Sequence, residues 1–421
     1  MAAERVRIGI VGIGWIGAEV ARASLEDPRV ELVGVADSDP AKANHDLGAV
    51  IGEGRIGLAV DPSAEALVSR ARPEVVVVST TSDATLASEV ARTCLSAGCH
   101  VVLTTESLAE PGAAVLENAE SLDATARARG VAVLATGVNP GFAMDRLPVT
   151  LGQMTRAIRR VRVRRVVELR ARRAQLQAKA GVGMTRAEFR RAMEQNRVGH
   201  VGLDASVRLI ARGLDLPLEA VSERIEPLVA EVELAPSVLG PVKKGRVRGV
   251  RQVARGHSEG QELITLELIM ALDEPDPFTV VDLVGQPPIH FEGQLPGDAC
   301  TVAAVLSAVG LVVDLEPGLR SVLDLPAARP HALVQAPSDD RPRLSIPVTK
   351  AASVEADRTM ETTLAPTRVA APTDTVTRTS VTPRPRSATR PKPSAKPPRA
   401  RPKRKAAKSA KGPRRSTKRT E

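Results

Sequence analysis

Gly12-Ile13-Gly14-Trp15-Ile16-Gly17 follows a buried-strand run at 5–11 and opens a helical stretch, and Asp37 ends the next apolar run, 20 residues past Gly17. A lone G-x-G-x-x-G says little. After a strand, before a helix and with a distal acid it specifies a diphosphate site. Gly12 permits the tight turn, Gly14 leaves the backbone open to a phosphate, and Gly17 lets helix and strand pack closely. The N–H groups that follow, from Trp15 and Ile16, are free donors at the positive end of a helix dipole. Asp37 is placed to accept from adenosine ribose hydroxyls. Asp37 and Asp39 repel a 2′-phosphate, but Lys42 is close enough in sequence to neutralise one. The expected cofactor is therefore NAD or NADP, with NAD favoured.

In a doubly wound sheet ligands lie beyond the carboxyl ends of the strands. Three stretches leave such ends: 79–82, which brings Thr80 to the cofactor, then 104–106 and 137–142. Glu106 is a candidate proton carrier or ammonium anchor, or a helix N-terminal acid favoured by the dipole. Asn139, beside Pro140-Gly141, is placed to bond the nicotinamide amide or the substrate, or simply to shape a turn. His200, ahead of an amphipathic helix, is a candidate general acid near neutral pH. Lys179, in a glycine-bounded loop, is a candidate carboxylate holder or proton donor. The remaining histidines show no ligand spacing, and no metal is assigned. Cys94, Cys99 and Cys300 form no C-x-x-C and read as small core residues of a reducing compartment.

These groups need a scaffold. From residue 5 to 135 short apolar runs alternate with helical stretches, separated by Gly, Pro and Asp turns, which is the pattern of a parallel doubly wound α/β sheet. Val75-Val-Val-Val78 reads as a strand buried on both faces. Short elements are expected as a helix at 40–47 and a strand at 57–60, and a helix over 110–129. After about 147 the pattern changes. Arginines largely alternate with valines at 159–168, as in a strand with one wet face. Thr185 and Glu188 make a capping box, and strand-like runs follow at 246–255, 263–272 and 278–284. The expected organisation is a Rossmann domain at 1–147, an α+β substrate and dimerisation domain with a largely open sheet at 148–335, and a disordered basic tail at 336–421, where too few large apolar residues remain to offset ordering entropy.

Composition narrows the function. The chain has 421 residues and a formal charge of +10, but 351–421 holds 19 Lys and Arg against 5 Asp and Glu, leaving 40 against 44 in the body. The basic character belongs to the tail. With no Tyr, a Tyr-Lys proton relay of the short-chain dehydrogenase kind is excluded. No run reaches the roughly 18 apolar residues of a membrane span, and the N-terminus lacks signal-peptide regions. A cytoplasmic protein is expected, with no membrane partner, a small-molecule substrate and a homodimer or higher homo-oligomer. The tail, without aromatics to stack on bases, is expected to give at most weak, salt-sensitive binding to nucleic acid or another polyanion.

The stretch 6–48 resembles the nucleotide-binding domain of the dihydrodipicolinate reductase family. The wider stretch 5–330 resembles the 2,4-diaminopentanoate dehydrogenase branch of that superfamily. The resemblance is carried by Thr136-Gly-Val-Asn-Pro-Gly-Phe142 with Met144-Asp145, Gln177-Ala-Lys-Ala-Gly181 and Gly199-His-Val-Gly-Leu203. Arg248-Gly-Val-Arg-Gln252, Gly297-Asp298 with Thr301, and Glu316-Pro-Gly-Leu319 continue it in order. It implies an NAD(P)-dependent enzyme that reduces a C=N (or C=O) bond or oxidises an amine on a small amino-acid-like substrate. The paired-His and Lys segment and the Asp-x-Pro-Ser-Gly-Thr of the lysine-biosynthesis reductases are absent, as is the Glu-Lys-Pro of glucose-fructose oxidoreductases; Thr105-Glu106-Ser107 stands at the comparable place. A second reading stays open: an NAD(H)-sensing, nucleic-acid-associated protein acting through its tail.

Overall fold

The computed structural model describes residues 5–326 and 376–381. Strands β1 (Val6–Val11), β2 (Val30–Ala36), β3 (Val60–Asp61), β4 (Val75–Val78), β5 (His100–Leu103) and β6 (Ala132–Ala135) are linked by helices α1 (Trp15–Glu26), α2 (Leu47–Ile51), α3 (Ala64–Ala71), α4 (Ala84–Ser96) and α5 (Leu116–Arg129). All pairings are parallel, with β3-β2-β1-β4-β5-β6 in spatial order. The order reverses between β1 and β4, so a crevice opens there above the carboxyl ends. All four valines of β4 are buried, as a strand covered by helices on both faces requires. Capping fixes where the helices begin. Ser63 accepts from Ala66 N–H and Asp83 from Leu86 N–H.

Three local expectations shift. The helix expected at 40–47 is a series of turns, because the Asp46 carboxylate gathers the N–H groups of Gly48, Ile56 and Gly57 and starts α2 only afterwards. The strand expected at 57–60 is confined to β3. Pro111-Gly112 delays α5 to Leu116.

The second layer holds α6 (Arg146–Gly152), β7 (Arg156–Glu168), α7 (Ala174–Lys179), α8 (Arg186–Glu194) and α9 (Leu203–Gly213), then β8 (Ala220–Val229), β9 (Leu234–Ser237), β10 (Gly240–Val242), β11 (Val247–Ser258), β12 (Gln261–Ala271), β13 (Phe278–Gln286) and β14 (Ile289–Gly293). The expected Thr185–Glu188 capping box opens α8. The sheet runs β14-β13-β7-β12-β11-β8 and is antiparallel except for β7 beside β12. One face packs a core that includes Val161, Val163, Leu203, Val207, Ile264 and Leu266. The other face is the expected wet one, laced by Arg164–Glu267, Arg251–Glu267 and Arg251–Glu226 pairs.

The stretch from 297 departs from the sequence reading, which assigned all of 148–335 to the second domain. Helix α10 (Gly297–Val312) packs on α1, β4 and β5, and β15 (Gly318–Arg320) adds beside β6 in the first sheet. Val305, Ala308, Val309 and Val312 bury into the first core. A mostly apolar helix suits either layer, so its sequence does not choose between them. Beyond 326, only β16 (Val376–Val381) is described; it pairs antiparallel with β8. The rest of the basic tail lies outside the described residues.

Candidate active site

The glycine turn has the geometry its sequence requires. Gly12 has φ +91° and receives no side chain, since a Cβ would lie 2.7 Å from Ser79 O. A Cβ on Gly17 would lie 1.9 Å from Gly12 O, so helix and turn are in backbone contact. Above Gly14 the space is open: nothing lies within 4 Å of where its Cβ would be. Asp37 closes the turn. Its Oδ2 accepts from Ile13 N–H at 2.8 Å and from Lys42 Nζ at 2.9 Å, and its Oδ1 from Asp39 N–H at 2.9 Å. Burial pulls its pKa upward, but these bonds outweigh burial and hold it below the usual carboxylate range.

A cleft of about 470 Å³, bordered by Gly12, Asp37, Ser38, Lys42 and Ala64, has room for adenosine. It meets a cavity of about 360 Å³ at Gly14, Ser79 and Thr80. The turn, the open cradle and the acid fit a dinucleotide: bare N–H groups could hold a diphosphate and Asp37 a ribose. Trp15 and Ile16 border the second cavity from the cofactor side.

That second cavity collects the remaining candidates: Glu106, Asn139, Lys179 and His200 all line it. Each arrives from a different element. Thr105 Oγ1 donates to Thr81 O at 2.9 Å, tying the loops after β4 and β5 together. The loop after β6 is held by Asp145, fully buried, which accepts from Gly141 N–H, Arg146 N–H and Ser206 Oγ at 2.9, 2.6 and 2.8 Å. Gly199 N–H donates to Lys179 O at 2.9 Å. The buried Gln252 clamps the His200 backbone, accepting from its N–H at 2.7 Å and donating to its carbonyl at 2.8 Å. Gly202, with φ +89°, has its Cβ position 2.7 Å from Pro140 and 3.0 Å from Glu106 Cβ, so only glycine lets the start of α9 touch both loops.

The polar atoms are disposed unevenly. Asn139 Nδ2 lies 3.0 Å from His200 Nε2, and Lys179 Nζ donates to Ser82 Oγ at 3.1 Å. Glu106 Oε2 and Asn139 Oδ1 are buried without a partner. Burial lowers the pKa of His200. The Glu106 carboxylate opposes that shift, while the Lys179 ammonium adds to it. The imidazole is therefore neutral near pH 7, and a neutral Nε2 can accept from the Asn139 amide.

Sequence reasoning missed the arginines of this cavity. Arg165, Arg172 and Arg173 line it with Asp298. Arg165 was legible in principle, because in the alternation of β7 it falls on the same face as Val161 and Val163. Arg172 and Arg173 stand in an irregular stretch with no periodic signal.

Residues 6–136 match the model of the oxidoreductase family, NAD-binding Rossmann fold, and residues 142–341 match the 2,4-diaminopentanoate dehydrogenase C-terminal domain. The 2,4-diaminopentanoate dehydrogenase of Acetoanaerobium sticklandii is 27% identical over 337 residues, covering 77% of this chain and 95% of that protein. An amine dehydrogenase of Streptomyces virginiae is 24% identical over 341 residues, covering 75% and 94%. The solved amine dehydrogenase of Mycobacterium smegmatis shares the fold, with a TM-score of 0.71 at 23% identity over 78% of this chain and 98% of that one. None of these relatives points to nucleic acid, and no helix among the described residues is long and apolar enough to cross a membrane. The chain is an NAD(P)-dependent oxidoreductase that resembles 2,4-diaminopentanoate dehydrogenase and amine dehydrogenase.

Proposed function

We propose that the protein interconverts an amine and the corresponding imine or carbonyl on a small amino-acid-like molecule. The supporting observation is the partnerless Glu106 Oε2, buried beside His200 and Lys179 in a cavity that opens on the Gly14 turn. A buried acceptor without a donor is costly, and a substrate ammonium supplies one. In the oxidative direction Glu106 takes a proton from the ammonium. The neutral amine carbon then gives up hydride, leaving an iminium that water converts to a carbonyl and ammonium, both water protons ending on the departing nitrogen. NAD(P) supplies the hydride acceptor when bound. Asn139 Oδ1 would receive the nicotinamide amide, and His200, held neutral, orients Asn139. Burial keeps His200 neutral, and the Lys179 charge adds to that effect. The relatives named above act on 2,4-diaminopentanoate or amines by name, which agrees with this reading.

The test is turnover of 2,4-diaminopentanoate and a panel of amines with NAD or NADP, followed by NAD(P)H absorbance. Glu106→Gln should lower kcat by about 100-fold or more while NADH binding is kept. Equal rates for Glu106→Gln and the parent enzyme would remove Glu106 from the chemistry.

A further inference from the structure

The wall facing the glycine turn carries more positive charge than amine chemistry uses. Arg165 is 4% exposed. Its Nη1 donates to Thr279 Oγ1 at 2.6 Å and its Nη2 to Leu295 O at 2.7 Å, both neutral acceptors. No ion pair of Arg165 exists among the described residues. Burial pulls its pKa down to about 10, so it is still a cation at neutral pH. Arg172 stands beside it: its Nε is buried without a partner, and its Nη2 lies 3.5 Å from Asp298 Oδ1. Arg173 Nη1 lies 3.2 Å from the same Oδ1, at ion-pair distance but without hydrogen-bond alignment. One aspartate thus serves two guanidiniums and leaves the third with none. Counting Lys179 and Glu106, the ionised groups around the cavity are four cations and two carboxylates.

The position of Arg172 is built in. A Cβ on Gly297 would lie 1.8 Å from its Nη2, so the guanidinium rests on the first residue of α10. Buried cations lacking counter-charge are strongly unfavourable unless a ligand provides it, and a planar guanidinium pair suits the two oxygens of a carboxylate. We infer that Arg165 and Arg172 form a carboxylate subsite, which holds the acid group of the substrate while its amine faces Glu106. This rests on the amine reading of the cavity. It moves the carboxylate-holding role from Lys179, whose Nζ is directed to Ser82. Arg165 and Arg172 also border a third cavity, with Glu168 and Phe278, but that one contains no residue of the cofactor turn.

The experiment titrates the NADH-loaded full-length protein by calorimetry with 2,4-diaminopentanoate and with butane-1,3-diamine, the same skeleton without its carboxylate. The acid should bind about 30-fold more tightly than the diamine, the worth of a charge-assisted bidentate contact. Arg165→Met and Arg172→Gln should each bring that ratio below about threefold, with NADH affinity unchanged. Arg172 is the more exposed of the two, so Arg172→Gln keeps the test decisive if Arg165→Met does not fold. Equal binding of acid and diamine by the parent protein overturns the subsite, as does a ratio that survives both variants. Loss of NADH binding in both variants overturns it too, because the anion held would then be the cofactor's phosphate. Turnover without discrimination leaves the amine reading standing and removes the subsite. Discrimination without turnover does the reverse.

Discussion

Gly14 and Gly17 belong to one motif, yet the structure separates their roles. An alanine at Gly14 meets nothing within 4 Å, and the backbone there, φ −80° and ψ −164°, is open to any residue. Gly14→Ala should therefore leave the melting temperature unchanged or raise it slightly, since the unfolded chain loses freedom worth about 0.4–1 kcal/mol. The new methyl does occupy the space a diphosphate needs to reach the backbone N–H groups. Weakening two charge-assisted hydrogen bonds of about 1.5 kcal/mol each costs about 3 kcal/mol, or roughly 100-fold in NADH affinity. Gly17→Ala behaves differently: its Cβ would sit 1.9 Å from Gly12 O and 3.0 Å from Gly12 C. Backbone cannot yield as a side chain does, so α1 must shift, and stability should fall by about 1–3 kcal/mol. Fluorescence titration with NADH and thermal melts of both variants supply the measurement. Parent-like NADH affinity in Gly14→Ala would refute the placement of the diphosphate over this turn, whatever the stability result.

Two further outcomes follow from the same geometry. Lys42 is the cation paired with Asp37 in a cleft also bordered by Glu65 and Glu89, so Lys42→Ala should lower kcat/KM with NADP by about tenfold and leave the value with NAD nearly unchanged; equal losses with both cofactors would show that Lys42 does not meet the 2′ position. Asp145 is buried with three donors around it, so Asp145→Ala should destabilise the protein by about 3 kcal/mol through unpaired N–H and O–H groups, read by denaturant unfolding. Burial raises the Asp145 pKa in the folded state despite those bonds. The folded form thus binds its proton more tightly than the unfolded chain, and this group's contribution falls as pH rises from the unfolded carboxylate pKa through the higher folded one. Asp145→Asn should flatten that part of the stability–pH profile, and an unchanged slope would count against the buried acid as its source.

The first sheet and the cofactor turn were legible because their signals are local: a glycine spacing, an acid 20 residues on, and apolar runs between turn residues. Glu106 and Asn139 were legible as candidates because the parallel topology dictates that loops after β5 and β6 face the crevice. Lys179 and His200 could be named but not joined, because what joins them is the Gly199–Lys179 backbone bond and the Gln252 clamp reaching from β11. Arg165 was hidden among the other arginines of β7. Only the strand's phase marks it as inward, and its company of Thr279 and Leu295 comes from more than 100 residues away. The return of α10 was hidden for another reason: its apolar residues are spread around the helix and name no single layer.

That return makes the second sheet an insert rather than an appendage. The chain leaves the first sheet after β6 and comes back at α10 and β15, so the first half is not a contiguous piece. A fragment cut at residue 147 would expose the β6 edge that β15 occupies and uncover the α1 surface against which α10 rests, inviting strand-to-strand aggregation. Recombinant work on cofactor binding should therefore keep the chain through at least residue 326, and chimeras with related enzymes should exchange both splice points together.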